Sequence, residues 1–145
     1  MSELSEVLER LLGSPALTEA ELEADERQHA FVVPDSVREV VRVAGGAELW
    51  KPGAKILKVF YVALIVDVLE QLAGSPLYSG LVPFADDSGP SWFAVDGAGI
   101  VYQFDRGGGE PERIAPDVLT FLSYYEEHGQ FPRPFGQGNP GDGPV

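Results

Sequence analysis

Residues 80–125, GLVPFADDSGPSWFAVDGAGIVYQFDRGGGEPERIAPDVLTFLSYY, decide the fold of this chain. Short runs of β-branched and aromatic residues alternate here with Gly, Pro and Asp, which is typical of antiparallel strands joined by tight turns. The predicted strands are residues 81–84, 92–95, 100–104 and 112–115. Pro116 and Asp117 open a final helix, which ends at Gly129. The buried face of that helix is marked at helical spacing by Val118, Phe121, Leu122 and Tyr125.

The residues before this stretch follow a helical period over most of their length. Thr18 and Glu21 have the spacing of a capping box, and Pro34 suits the first turn of a helix that stops at Gly45 and Gly46. The predicted helices are residues 1–12, 18–30, 34–44 and 61–73, and the predicted strands are residues 47–50 and 55–60. We therefore expect helices and strands to share a single domain over residues 1–130.

The last fifteen residues have a different composition. The segment 131–145, FPRPFGQGNPGDGPV, holds four Pro and four Gly. Such a sequence cannot build a packed element, because it offers few side chains to bury. We predict an irregular tail, with Phe131 and Phe135 packed onto the domain.

Composition excludes several classes of protein. The 145 residues suit one domain. Lys and Arg number 10 against 23 Asp and Glu, for a net charge of −13. A binder of duplex nucleic acid or of an anionic membrane needs a basic surface, so neither is expected as a partner. The absence of Cys excludes a disulfide, a thiolate zinc site and a Cys nucleophile.

No targeting signal is visible in the sequence. The N-terminus, MSELSE, has neither a basic region nor an apolar stretch. The longest apolar run, Val59 to Val66, is far shorter than the roughly 20 residues that a helix needs to cross a bilayer. We therefore expect a cytoplasmic protein.

Catalytic and cofactor motifs are weak. The glycine pairs and triplets follow helices or lie between strands, so they indicate turns rather than phosphate-binding loops. His29 and His128 are isolated, which disfavours a zinc site, and no nucleophile-elbow motif occurs. We predict no cofactor. Asp86 and Asp87 leave one alternative open, a metal-dependent hydrolase that uses this carboxylate pair.

Charge is distributed unevenly along the chain. Residues 1–58 hold 11 acids and 7 bases, whereas residues 59–145 hold 12 acids and 3 bases. An anionic surface attracts a basic partner and raises its association rate, although it also serves solubility alone. Aromatic residues often anchor interfaces. Core packing is the better explanation for Trp92, whereas Tyr102 is the aromatic residue that we expect at the interface. The predicted interface residues are Asp86, Asp87, Asp96, Asp105, Glu110, Glu112 and Tyr102.

Two stretches together resemble the SUKH superfamily. The segment VPDSVREVVRVAGG, residues 33–46, is similar to its Pro-started helix that ends in a Gly pair. Residues 80–125 resemble its core, in which a "Leu/Ile-x-Pro-Phe" strand, an acidic turn and an aromatic hairpin lead through "Ile-Ala" into a helix. The resemblance covers residues 32–125. Pro90 and Ser91 depart from it, since many members have a Gly-Asp-like pair there, and residues 51–79 match poorly.

The resemblance implies an α+β domain in which helices flank an antiparallel or mixed sheet. Bacterial members resemble immunity proteins that neutralise toxins, fungal members resemble cell-wall regulators, and neither group is known for catalysis. The resemblance therefore implies a protein partner, such as a toxin domain with a basic nuclease surface. We expect the chain itself to be a monomer or a weak homodimer. A housekeeping adaptor with the same fold is the other non-enzymatic alternative.

Overall fold

The computed structural model describes residues 3–12, 17–49 and 52–133 of the chain. Over these ranges the chain forms five helices and a six-stranded sheet. The helices are α1 (Glu3–Leu12), α2 (Glu19–His29), α3 (Asp35–Ala44), α4 (Val62–Leu72) and α5 (Val118–His128), and a 3-10 turn spans Pro76–Tyr78. The strands are β1 (Glu48–Leu49), β2 (Leu57–Val59), β3 (Val82–Asp86), β4 (Ser91–Val95), β5 (Val101–Asp105) and β6 (Glu112–Ala115).

Each strand of the sheet pairs with the next one along the chain, and every pairing is antiparallel. Among the described residues, β1 and β6 therefore form the two edges of a meander. The predicted α+β fold is confirmed, and its sheet is antiparallel rather than mixed. Strand β3 runs two residues further than the sequence predicted and includes Asp86. Phe135 and the rest of the tail from residue 134 lie outside the described residues.

Helix α5 covers one face of the sheet through aromatic rings. Phe121 on α5 lies 5.0 Å from the Phe93 ring and meets the Phe84 ring edge-on at 5.9 Å. The register between β3 and β4 shifts between Pro83 and Ala85, so Phe84 is the extra residue of a bulge. The bulge lets Phe84 and Phe93 reach the same helix side chain, and all three rings are fully buried.

The other face of the sheet has its own aromatic cluster. Because neighbouring residues of a strand point to opposite faces, Trp92 lies on the side away from Phe93. Trp92 is 8% exposed and meets Phe104 edge-on at 5.8 Å, and Phe104 in turn lies 4.6 Å from Tyr78. The core position expected for Trp92 is confirmed, and β4 is buried on both faces.

The N-terminal helices pack beside this sheet as the apolar spacing predicted. Val7 and Leu8 of α1 are buried, and α1 contacts α3 and α5. The capping box of α2 is present, because the Glu21 amide donates to the Thr18 hydroxyl and the Thr18 amide donates to the Glu21 carboxylate. The contacts of α1 join it to α3 and α5, whereas the capping box stabilises the first turn of α2 itself.

A buried carboxylate joins α2 to α3. Oε2 of Glu26 accepts hydrogen bonds from the Val33 amide at 2.7 Å and from Nη1 of Arg38 at 2.7 Å. The hydrogen bond from Arg38 holds the pKa of Glu26 below its ordinary value, although burial alone would raise it. The ionised form of Glu26 therefore stabilises the packing of α2 on α3.

We predict that Glu26 makes folding stability depend on pH in the acid range. Its folded pKa lies below the unfolded value of about 4.3, so its contribution is complete above that value and is lost as the pH falls through the folded pKa. Glu26→Gln should lower the free energy of unfolding at pH 7 and flatten its decline between pH 5 and pH 2. Urea unfolding at each pH measures this. Glu23→Gln, on the same helix but exposed, is the control and should leave the pH profile unchanged.

Gly129 ends α5 in a conformation that favours glycine. Its φ is 67°, and its carbonyl oxygen accepts a hydrogen bond of 2.8 Å from the Lys55 amide. A Cβ at this position would lie 3.0 Å from the Cβ of Ala54. We predict that Gly129→Ala lowers the free energy of unfolding by about 1–2 kcal/mol, from left-handed strain together with this contact.

Thermal or urea unfolding measures the effect of Gly129→Ala. The matched control is Gly97→Ala, because Gly97 lacks a positive φ and a Cβ added there would meet no other atom within 4 Å. The control should change stability by less than about 0.5 kcal/mol. Equal effects of the two substitutions would contradict the role given to Gly129.

Candidate functional site: an acidic trough at one end of the sheet

The register of β4, β5 and β6 gathers polar side chains on one face of the sheet. Ser91 pairs with Asp105, Phe93 pairs with Gln103, and Gln103 pairs with Glu112. Directly opposed residues of antiparallel strands point to the same side, so these polar residues share the face of Phe93. Phe93 itself is covered by α5, whereas Asp105 and Glu112 are exposed. One end of this face is therefore open and polar.

Two adjoining concavities occupy this open end, and we call them together the trough. They have volumes of about 420 Å³ and about 270 Å³, and both include Ser91 and Gln103. The larger is also lined by Lys55, Asp87, Gln130, Phe131, Pro132 and Arg133, and the smaller by Phe104, Asp105, Gly109, Glu110 and Glu112. The trough lies along the sheet between the segment after α5 and the turn between β5 and β6.

The floor and one wall of the trough are held by specific contacts. Nε2 of Gln103 donates a hydrogen bond of 3.0 Å to Oγ of Ser91. The Phe131 ring stacks nearly parallel to Tyr125 at 5.3 Å and lies 4.7 Å from Phe93. The predicted packing of Phe131 onto the domain is confirmed. This ring fixes the path of residues 131–133, which form the wall beside Lys55.

The acids of the trough differ in how their carboxylates are used. Oδ1 of Asp87 accepts hydrogen bonds from the amides of Gly89 and Ser91, and Oδ1 of Asp105 accepts one from Gly107. These bonds shape the turns that the two residues begin. The side chains of Glu110 and Glu112 are not engaged with any other described residue by a hydrogen bond or an ion pair. Their charges are therefore available at the lip of the trough.

Asp86 is placed differently from its neighbour Asp87. Asp86 is 5% exposed, and its Oδ2 lies 2.6 Å from Nη2 of Arg106. Its Oδ1 accepts a hydrogen bond of 2.8 Å from the Ser88 amide. Asp86 is buried because both of its oxygens have partners there, and its carboxylate does not lie on the surface of the trough.

Asp96 and Tyr102 lie at the other end of the strands. Val95 pairs with Val101 at that end, and Ser91 pairs with Asp105 at the trough. Four steps along a strand separate the two ends by roughly 13 Å. Of the seven predicted interface residues, the structure brings together Asp87, Asp105, Glu110 and Glu112, and it leaves Asp86, Asp96 and Tyr102 outside the trough.

Asp96 and Tyr102 form a local polar contact. The Tyr102 hydroxyl donates a hydrogen bond of 2.9 Å to Oδ2 of Asp96, and Oδ1 of Asp96 accepts from the amides of Ala98 and Ile100. Burial would raise the pKa of Asp96, but these hydrogen bonds outweigh it and lower the pKa below its ordinary value. The pKa of Tyr102 is raised, mainly by burial and to a lesser extent by the hydrogen bond to Asp96. The pair stabilises the hairpin between β4 and β5.

The alternative of a metal-dependent hydrolase has no geometric support from Asp86 and Asp87. The carboxylate of Asp86 is paired with Arg106, whereas that of Asp87 binds the backbone of its own turn. Over residues 3–12, 17–49 and 52–133 there is no group of three or more His, Asp or Glu side chains suited to a metal ion.

In the same part of the chain, no helix has the length and apolar character required to span a membrane.

The sequence did not single out several residues that line the trough. Ser91 and Gln103 follow from strand register, since a hairpin over residues 96–99 places Ser91 opposite Asp105. Lys55 and Arg133 come from segments distant in sequence, and no local pattern indicates that both line the same concavity. These features define the class of protein: an α+β domain with a single sheet, one end of which is open and polar.

Comparison with known families agrees with this class. The chain matches the SMI1 / KNR4 family (SUKH-1) over residues 16–124, which is 109 of its 145 residues. The chain therefore belongs to the SMI1 / KNR4 family, and the resemblance to the SUKH superfamily over residues 32–125 is confirmed. Comparison with curated proteins gives no match.

We predict that Tyr102→Phe raises the pKa of Asp96. The substitution removes a hydrogen bond that favours the ionised carboxylate, so the protonated form becomes easier to reach. An NMR titration of the Asp96 carboxyl carbon measures the change. Tyr61→Phe, at an exposed tyrosine, is the control and should leave the Asp96 titration where it is. An unchanged Asp96 pKa in Tyr102→Phe would contradict the contact described above.

Proposed function

We propose that this chain is an immunity protein, which binds a toxin domain with a basic surface and occludes it through the trough. Membership of the SMI1 / KNR4 family supports the general class, since bacterial relatives of the SUKH type resemble immunity proteins. The observation that carries the proposal is the open end of the sheet, where four acids surround a polar floor.

Charge favours a basic partner at this surface. The chain has a net charge of −13, and residues 59–145 supply most of it. A surface of one sign steers a partner of the opposite sign and raises the association rate, an effect that salt screens over about 10 Å at 0.1 M. A nuclease carries Lys and Arg that hold phosphates, so carboxylates placed against them would block nucleic-acid binding.

The arrangement of the acids also suits binding. Glu110 and Glu112 have no partner among the described residues, so no intramolecular ion pair has to break when a cation approaches. Asp87 and Asp105 each keep one oxygen, Oδ2, without a hydrogen bond to a described residue. Lys55 and Arg133 at the far wall give the trough two signs of charge, which restricts the orientation of a partner.

We predict that reversing two charges at the lip weakens partner binding. Glu110→Lys with Glu112→Lys leaves every described hydrogen bond intact, whereas a change at Asp87 or Asp105 would also disturb a turn. The double variant should weaken binding by about 100-fold at low salt, at about 1–2 kcal/mol for each lost charge pair. The matched control is Glu9→Lys with Glu23→Lys, the same change of charge on exposed positions of α1 and α2.

The test begins with affinity capture from the source cells, using the wild-type chain, the lip variant and the control. A protein recovered by both the wild type and the control is the candidate partner, and the affinity of the lip variant for it is then measured. The candidate is then expressed alone and with each form of the chain, and growth is measured. An immunity role requires that the candidate be toxic alone and that the wild type and the control restore growth.

Two results would overturn the proposal. A non-toxic partner would contradict the immunity role and favour a housekeeping adaptor. Equal affinity of the lip variant and the wild type for the recovered partner would show that the trough is not the binding surface.

A further inference from the structure

Arg106 lies where the two turns that bear the trough acids meet. One turn joins β3 to β4 over residues 87–90, and the other joins β5 to β6 over residues 106–111. The Arg106 amide donates a hydrogen bond of 2.8 Å to the carbonyl oxygen of Pro90. The two turns are therefore connected directly through their backbones.

The side chain of Arg106 makes the same connection a second time. Its Nη2 atom donates to the buried carboxylate of Asp86 at 2.6 Å, at the end of β3. Its guanidinium carbon lies over the Trp92 ring at 5.3 Å from the centroid, on β4. The planar guanidinium can stack on the ring and bind the carboxylate at once, which the ammonium of Lys does not reproduce.

The turn that follows Arg106 needs such anchors. It contains Gly107, Gly108 and Gly109, and Gly108 has a φ of 99°. A run of glycines has more backbone freedom to lose than other residues. At its far end the Tyr78 hydroxyl donates a hydrogen bond of 2.9 Å to the Gly109 carbonyl oxygen. The glycine run is held at both ends, immediately before Glu110.

We infer that Arg106 is a positioning residue, which holds the two acidic turns in the arrangement that a partner binds. The inference rests on the proposed function of the trough. Binding that orders a flexible segment costs free energy, and a segment already ordered avoids that cost. Arg106 lines neither concavity of the trough, and its guanidinium is engaged with Asp86 and Trp92, so its contribution is to hold the turns rather than to bind the partner.

Three variants separate positioning from simple stability. Arg106→Met keeps the apolar stem but leaves the Asp86 carboxylate buried without its cation, which is destabilising. Arg106→Met combined with Asp86→Asn removes both charges, so stability should largely recover while the side-chain contacts of Arg106 with Asp86 and Trp92 stay broken. Arg106→Lys keeps the charge and should rescue part of the effect.

Hydrogen exchange of the free protein is the first measurement. The double variant Arg106→Met with Asp86→Asn should exchange the hydrogen-bonded amides of residues 88, 89, 91 and 106–108 about tenfold faster than the wild type, while core strand amides change little. The second measurement is affinity for the toxic protein recovered by capture. It should fall about tenfold in the double variant, as expected for one or two more groups to order on binding.

The outcomes distinguish this inference from the proposed function. Unchanged exchange in the two turns would overturn the role of Arg106 whatever the partner does. Wild-type affinity in the double variant, together with weak binding by the Glu110 and Glu112 lip variant, would reduce Arg106 to a structural residue. Faster exchange with wild-type affinity in both variants would instead overturn the trough as the binding surface.

Discussion

The pairing of β4 with β5 is the constraint on which the rest of the structure depends. It places Phe93 opposite Gln103 and Ser91 opposite Asp105, so one face carries the core ring under α5 and the polar floor of the trough. Because side chains alternate along a strand, a shift of the β4 register by one residue would turn Phe93 away from α5 and place Trp92 on the face that α5 covers. The hydrophobic packing that stabilises the domain therefore also determines where the acids emerge.

Much of this arrangement follows from local sequence. The strand and helix periods, the capping box of α2 and the glycine that ends α5 each have a short-range cause, and the structure contains all of them. The bulge at Phe84 and the placement of Lys55 and Arg133 around one concavity depend on tertiary packing, which no local pattern encodes. Acids at the ends of strands are usually solvated, and no residue near Asp86 in the sequence predicts its burial. Asp86 is buried because it pairs with Arg106, which lies twenty residues further along the chain.

The candidate site was predictable to a similar extent. The acidic turns were evident from the sequence. The predicted interface nevertheless combined acids from both ends of the sheet, because the residue types alone do not show at which end each turn lies. An antiparallel meander sends alternate turns to opposite ends, which separates Asp96 from Asp87 and Asp105. Of the two residues that depart from the family pattern, Ser91 lines the trough, where its hydroxyl accepts a hydrogen bond from Gln103, and Pro90 lies in the adjoining turn, where its carbonyl accepts one from the Arg106 amide.

The outer edge at β6 has a consequence for the behaviour of the protein at high concentration. This strand is four residues long and lies between Pro111 and Pro116, which cannot donate backbone hydrogen bonds. Two copies that met edge to edge about a twofold axis at Glu112 or Arg113 would bring identical charges into register. Dimerisation by pairing of β6 with β6 is therefore disfavoured by repulsion between like charges as well as by the shortness of the strand.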